Sequence, residues 1–501
     1  MLKIILRIYP NFVLNLLILI LLQWHLLSLC EAGTGFYTFG AVNEVNQFST
    51  LFLKTPTTTY QQASELADVE DNFSVGYFYV YQNLNIDYFQ RPNGVDIGTD
   101  IYQGRLPTNG KLSPLKQTPL PTKAINQRGS TQPISNDAFF QLATSSQLLK
   151  KGQHKIALGI LLLVPLKTVE NQTPRFSDER AQYFDNSLFF AKWGNYFDGL
   201  SSSFALSWKY GQILGLGVGT VMLNEAQAKS EVFLSDATYQ GTSYTLPSVK
   251  VVNRFSPYFS ASGILLNHLE KKYQLKWGAN LYLPESSTVD GNGKVKIWGF
   301  QYEDGQNALT QSFSQHYRYL PYRLQFSLAL QMEKMGFYSI IQRSFWSSRI
   351  DEQGENSAWI DQWEGTWGGY YQGKIQLGDQ AYQSKLGLDL RWRPSPVKPQ
   401  IGRRNDIDPS VLAFALAYQL KIKDWLSIQL SGQWHWLMNT SVKKNPYAQN
   451  PVQDEVPDTA VALDQSAINN RLGLQTNNPG FPGYRAGGTV LVLGLFANLY
   501  F

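Results

Sequence analysis

Strict alternation of apolar and polar residues recurs along this chain in stretches of about eleven residues. From Tyr273 to Leu283, Tyr273, Leu275, Trp277, Ala279, Leu281 and Leu283 share one face, while Gln274, Lys276, Gly278, Asn280 and Tyr282 share the other. The split repeats from Tyr322 to Glu333, where Leu324, Phe326, Leu328 and Leu330 oppose Arg323, Gln325, Ser327 and Gln331. Leu386, Leu388, Leu390 and Trp392 likewise oppose Lys385, Gly387, Asp389, Arg391 and Arg393. In a fourth stretch, Ile428, Leu430, Trp434 and Trp436 oppose Ser427, Gln429, Ser431, Gln433 and His435. Side chains of a strand alternate faces, so each stretch predicts a strand with one apolar and one polar wall. Soluble sandwiches use strands of about five or six residues, whereas a tilted strand needs about nine to eleven to cross a bilayer. Aromatics near the ends of the apolar face, such as Tyr273, Tyr322, Trp392 and Trp434, fit an interfacial girdle. The expected fold class is therefore all-β, a transmembrane antiparallel β-barrel.

Further stretches near 74–90, 154–165, 185–193, 202–210, 212–223, 229–237, 250–266, 294–302, 337–347, 370–379 and 411–422 carry strand character. With the closing stretch Thr489 to Phe501 they bring the total to about sixteen, one or two of which would be loop or hatch ribbons. Single-chain bacterial barrels close with even strand numbers, so about 14 strands are expected, with 16 the neighbouring choice. Prolines interrupt the pattern between Arg91 and Asn136 and again between Asn439 and Gly488, which predicts long irregular segments there. The last stretch places Leu491, Leu493, Leu495, Ala497, Leu499 and Phe501 on one face. A closing strand ending in Phe resembles the signal that outer-membrane barrels present to their assembly machinery, so Phe501 is the expected contact with that partner.

Composition adds to this picture at the N-terminus. The one long apolar run, Phe12 to Leu22, follows Lys3 and Arg7, the arrangement of a secretory signal. Cleavage after Ala32 would leave 469 residues and remove Cys30, the only cysteine, so disulfides play no part in the expected design. Losing Lys3, Arg7 and Glu31 leaves 41 basic and 37 acidic residues, too even a balance to suggest nucleic acid. Residues 1–32 are thus read as a signal peptide, 33–150 as an N-terminal region with a hatch or plug, first strand and Pro-rich loop, and 151–501 as the main barrel with a long loop at 439–487.

The order of segments resembles the FadL/TodX family, outer-membrane channels for long-chain fatty acids and other hydrophobic molecules. KIALGILLLVPL (Lys155 to Leu166) is similar to the family's apolar strand ending in Val-Pro, and Phe204 to Leu223 looks like its strand, tight turn and Gly-alternating strand. Ser256 to Pro284 and Leu320 to Gln331 resemble a hairpin with a basic turn and a proline-led strand. Trp346 and Ser347 stand where the family has a Trp-Ser pair. Gly387 to Leu420 resembles the family's basic strand end, Pro-Ser-Pro-Val loop and following strand. The N-terminal third departs: no Asn-Pro-Ala motif occurs, although Gly33 to Val45 is a candidate for a divergent hatch. The resemblance implies a cofactor-free channel in the outer membrane of a Gram-negative bacterium, monomeric, passing hydrophobic small molecules and bounded by outer-membrane lipids.

Candidate ligand-binding residues are the polar ones expected to face the lumen: Lys209, Lys276, Asn280, Arg323, Gln325, Asp389, Arg391 and His435. A mostly basic wall suits an anionic headgroup, and equally suits ion-pair ladders within the barrel. The alternation Gly215, Gly217, Gly219 predicts a bare strand face against which something packs closely, or a bend. Two rivals remain: a water-filled porin for small polar solutes, and a phospholipase or esterase barrel pairing His435 with a serine such as Ser431. No nucleophile-elbow, zincin or phosphate-loop motif is present, and His154, His268, His316 and His435 show no metal-ligand spacing. Asp68, Glu70, Asp71 and the turn Asn405, Asp406, Asp408 offer oxygens for a divalent cation, but solvated loop charge is the plainer reading. No catalytic residue, metal or cofactor is expected.

Overall fold

A computed structural model describes residues 39–88, 107–108, 111–112, 137–166, 201–223, 226–229, 232–235, 242–251, 254–268, 273–297, 309–348, 359–397, 408–443 and 483–501. The first half of the wall consists of β1 (Asn72–Tyr88), β2 (Asp137–Lys151), β3 (His154–Pro165), β4 (Ser201–Tyr210), β5 (Leu214–Leu223), β6 (Arg254–His268) and β7 (Tyr273–Tyr282). The second half consists of β8 (Arg323–Met332), β9 (Met335–Ser344), β10 (Gln362–Leu377), β11 (Gln380–Arg393), β12 (Val411–Lys423), β13 (Leu426–Lys443) and β14 (Gly483–Tyr500). Each strand pairs antiparallel with its neighbours in chain order, and β1 pairs with β14 from Asn72↔Tyr500 to Tyr88↔Tyr484. The result is a closed barrel of 14 strands, which leaves no open sheet edge.

The alternation read from the sequence is the alternation of the wall. Along β8, Leu324, Phe326 and Leu328 are exposed on the outside while Arg323, Gln325 and Ser327 are buried inside. On β14, Leu491, Leu493 and Leu495 point outward while Val490, Val492 and Phe496 point inward. Tyr77, Tyr79, Tyr81, Trp363, Trp367, Trp434 and Trp436 add aromatic surface to the outer face. Among the described residues no helix is long and apolar enough to cross a membrane.

The two ends of the barrel differ. At one end β2–β3, β4–β5, β8–β9, β10–β11 and β12–β13 are joined by two or three residues. Gly152 and Gly378 sit in two of these turns with φ of 60° and 63°, a conformation that a side chain would strain. At the other end the connections are long. There the pieces Ala226–Lys229, Val232–Ser235, Thr242–Val251, Glu285–Ile297 and Leu309–Leu320 pair into a separate sheet. The stretches near 229–237 and 294–302 thus belong to this second sheet, at least in their described parts, and not to the barrel. Trp346 packs at a tilt against Trp359, which bridges to Val397 of the Pro-Ser-Pro-Val loop, so those two motifs meet at the long-loop end.

Strand β2 escaped the periodicity. Phe139 faces inward onto Phe78, 5.1 Å away in a stacked pair, while Phe140 faces outward, so both of its faces are apolar there. A register shift between Gln147 and Leu149 then breaks the count of two. The signal segment, the stretch near 185–193 and most of the two Pro-rich segments lie outside the described residues.

Inside the barrel lies the chain from Phe39 to Val69, which carries the helix α1 (Thr58–Gln61) and a 3-10 turn (Ala63–Asp68). Nearly every residue of this hatch is buried. It turns at Gly40, whose φ of 65° lets the Ala41 amide reach the Gln47 carbonyl at 2.8 Å. Apolar hatch residues Phe39, Val42, Phe48 and Leu66 join inward-facing Phe78, Phe139, Ala157 and Phe496 in one core.

Candidate functional site

Glycines make room for the hatch. A Cβ added at Gly215 or Gly217 of β5 would run into the backbone of Ala63 and Ser64, and one at Gly387 of β11 into Val45. The bare face expected of the glycine alternation is therefore where the hatch packs, except that Gly219 is covered by the Tyr258 ring. Backbone approaching backbone at this range leaves no room for a continuous water film between hatch and wall.

Polar hatch side chains satisfy the wall, and polar wall side chains satisfy the hatch, as burial demands. Gln47 donates to the Leu416 and Gly432 carbonyls at 3.1 and 3.3 Å. Gln433 donates to the Phe39 carbonyl and to Gln47 Oε1, at 2.8 and 2.7 Å. Gln429 donates to the Val42 carbonyl and Gln62 to the Ala261 carbonyl, at 3.1 and 3.0 Å. Tyr258 donates its hydroxyl to the Thr59 carbonyl, and Tyr282 donates to that of Tyr60 at 3.1 Å. The hatch is tied to strands on opposite sides of the lumen.

The eight candidate residues all face inward, and they divide into three groups. Lys209 of β4 binds Glu65 Oε1 at 3.2 Å and also pairs with Asp68, while Lys276 of β7 stands 3.9 Å from the other Glu65 oxygen. Ser262 donates to the same Glu65 at 2.5 Å. On β11, Asp389 accepts from Asn46 Nδ2 at 2.8 Å and from the Phe48 amide at 3.1 Å. These charges hold the hatch, so the ion-pair reading describes this part of the wall.

The second group lies toward the long-loop end of the hatch. Asn280 donates to the Gln61 carbonyl and to Gln325, at 2.8 and 2.9 Å. Arg323 lies 4.5 Å over the Tyr282 ring and donates to Tyr60. Arg391 pairs with Glu364 at 3.0 Å, and Glu364 also accepts from Ser344 at 2.7 Å. Arg323, Gln325, Arg391 and Glu364 line a cavity of about 40 Å³ above the hatch, room for a few waters and no more. His435 forms the third group alone. Its Nε2 lies 2.9 Å from Gln433 Oε1 and its ring meets Phe39 and Phe48 edge to face, so its partner is an amide and not a serine.

Two hatch carboxyls show how the environment sets charge. Burial works against the Asp68 anion, but the Lys209 ammonium and then Lys155, at 2.9 Å, outweigh it and hold its pKa below the usual aspartate range. Glu44 has no such pair. Burial lifts its pKa, and hydrogen bonds from Thr55 and Lys54 to Oε1 offset that only in part. Asp71 accepts from the Gln147 amide and Asp408 pairs with Arg393, so the acidic clusters are engaged locally, while Asn405 and Asp406 lie outside the described residues. Among the described residues no group of three or more His, Cys, Asp or Glu gathers to hold a metal.

Below the hatch, toward the short-turn end, opens a chamber of about 800 Å³. Leu51, Phe52 and Lys54 of the hatch and Lys276, Tyr370 and Lys385 of the wall border it. Sequence reasoning missed this chamber and the whole set of hatch partners, Glu65, Asn46 and Gln47 foremost. Their only signal was a run of amides among small and apolar residues from Ala41 to Thr50, which looks like a loop until a wall surrounds it.

No protein-family model matches the chain, and no curated protein matches it either. Among solved structures, a FadL homologue of Pseudomonas aeruginosa superposes with a TM-score of 0.54 at 13% identity, over 94% of this chain and 98% of that one. The chain has the FadL-homologue fold. The toluene transporter TodX of P. putida follows with a TM-score of 0.48 at 11% identity, over 92% of this chain and 98% of that one. At 13% identity the first of these superpositions shows a shared fold and nothing of the side chains at the lumen.

Proposed function

We propose that the protein is an outer-membrane channel for passive uptake of hydrophobic molecules such as long-chain fatty acids or hydrocarbons. The carrying observation is the hatch: a FadL-type barrel whose lumen is filled from Phe39 to Val69 by a segment bonded to the wall all round. A porin for polar solutes needs an open aqueous lumen, and among the described residues the hatch occupies it with its backbone packed against the wall. The short turns face the periplasm and the long connections face outward, the usual arrangement of outer-membrane barrels. Hydrophobic cargo enters from the long-loop end, where Leu320, Trp346 and Trp359 form an apolar cluster, and passes when the hatch contacts rearrange.

Uptake of labelled oleate and labelled decane in a strain lacking the gene, with and without the gene restored, tests this. Restoring the gene is expected to raise uptake several-fold for at least one of them. Equal uptake of both with and without the protein overturns the reading.

A further inference from the structure

The chamber on the short-turn side of the hatch is unlike the rest of the lumen. Six lysines border it: Lys54 from the hatch, Lys276, Lys374, Lys385 and Lys421 from four strands, and Lys334 from the β8–β9 turn. Against them stand Asp68, Glu70 and Asp424. Asp68 is already held by Lys209 and Lys155, and Asp424 by Lys421 at 3.1 Å. Among the described residues no carboxylate comes within ion-pair distance of Lys54, Lys334, Lys374 or Lys385. Lys385 instead lies 3.9 Å over the Tyr370 ring. Six ammonium groups against three carboxylates leave this concave space with an excess of positive charge, which focuses a positive potential at its mouth.

The charges are spread around the chamber on β7, β10, β11, β12, a turn and the hatch, and do not converge on one point. A single carboxylate or phosphate would meet one or two of them. Between the lysines stand Gln331, Gln372, Gln383 and Gln419, whose amides both donate and accept, as a peptide backbone requires of its partner. Leu51, Phe52, Tyr370, Tyr371 and Tyr500 add apolar surface, which suits the stem of a side chain or a segment's aliphatic carbons while the lysines and glutamines meet its charge and backbone. We infer that this chamber is a docking site for an acidic peptide segment of a periplasmic partner protein, seated at the inner mouth of the channel. The inference rests on the outer-membrane orientation proposed above, since that orientation turns the chamber toward the periplasm. At about 800 Å³ the chamber holds a short extended segment and not a folded domain, so the partner presents a tail or loop.

Fluorescein-labelled hexaglutamate, added to the purified full-length protein in nanodiscs and followed by fluorescence anisotropy, tests the site with no cargo present. Binding is expected to exceed that of hexaglutamine at least about tenfold and to weaken steeply with salt, as screened charge requires. The triple variant Lys334→Gln/Lys374→Gln/Lys421→Gln, at the chamber mouth, is expected to lose about tenfold in affinity. Arg485→Gln, at the opposite end, is expected to lose none. Heat-modifiable migration on gels establishes that each variant is folded. Equal binding of hexaglutamate and hexaglutamine, or unchanged affinity in the triple variant, overturns the inference. So does dodecanoate if it displaces the peptide at concentrations below its micelle threshold and loses the same affinity in the triple variant, because the chamber is then a site for small amphiphiles. Uptake by cells is read separately, so loss of the transport reading and loss of the docking reading give different results.

Discussion

Asp68 illustrates how single residues hold the hatch. Its carboxylate bridges Lys209 and Lys155 of two adjacent strands, and the paired lysines keep its folded pKa below the ordinary aspartate value. The unfolded chain then takes up the proton first as pH falls. Stability from this pair is therefore present above about pH 4, the unfolded value, and is lost as pH falls through the lower folded value. Glu44 carries the opposite sign, because its raised pKa makes the neutral form the better packed one, and its contribution fades as pH rises. Replacing Asp68 by Asn is expected to cost about 1–3 kcal/mol at pH 7, since Lys209 is left buried with only Glu65. The cost is expected to shrink toward zero in strong acid, read from guanidinium titrations of both proteins across pH.

At the scale of elements, the hatch and the glycine-bearing strand β5 are one packing unit. Gly217 is where the backbone of Ala63 and Ser64 comes closest, so a larger side chain there cannot coexist with the seated hatch. Gly217→Val is expected to leave the barrel folded, because valine suits a strand, while the hatch shifts or leaves. Limited proteolysis between Phe39 and Val69 should then be at least about tenfold faster than in the parent protein, with heat-modifiable migration unchanged.

The same pair of elements marks how far the sequence could be read. The wall was legible because period two is written into Leu324 to Leu328 and into Leu491 to Leu495 whatever the rest of the fold does. The hatch was expected only as a candidate from Gly33 to Val45; its run on to Val69 and its contacts were not legible, because its order comes from partners over two hundred residues away, as in Asn46 with Asp389 and Gln47 with Gly432. Strand β2 was hidden for the same reason: Phe139 is apolar and inward only because the hatch residue Phe39 covers it, 6.3 Å away. Of the eight lumen candidates, the sequence placed every one on the correct face. What it could not supply was their use, since Lys209 and Asp389 read alike as ligand contacts or as anchors until Glu65 and Asn46 are beside them.

Taken as a whole molecule, the protein is a 14-stranded wall with a bonded stopper, a small cavity above it and a larger chamber below it. A charged fraction of only 16% follows from this design, because the outward-facing apolar residues are spread over every second position of fourteen strands. On the function proposed above, the hatch divides the lumen so that ions and small polar solutes meet a closed path, while hydrophobic cargo passes through contacts that give way. The account therefore turns on the hatch being the closure. Single-channel conductance in planar bilayers, recorded for the intact protein and for a variant lacking residues 40–69, tests that claim most directly. The intact protein is expected to show almost no steady conductance and the deletion variant a large, stable one. A large, stable conductance in the intact protein, left unchanged by removing the hatch, would contradict the account.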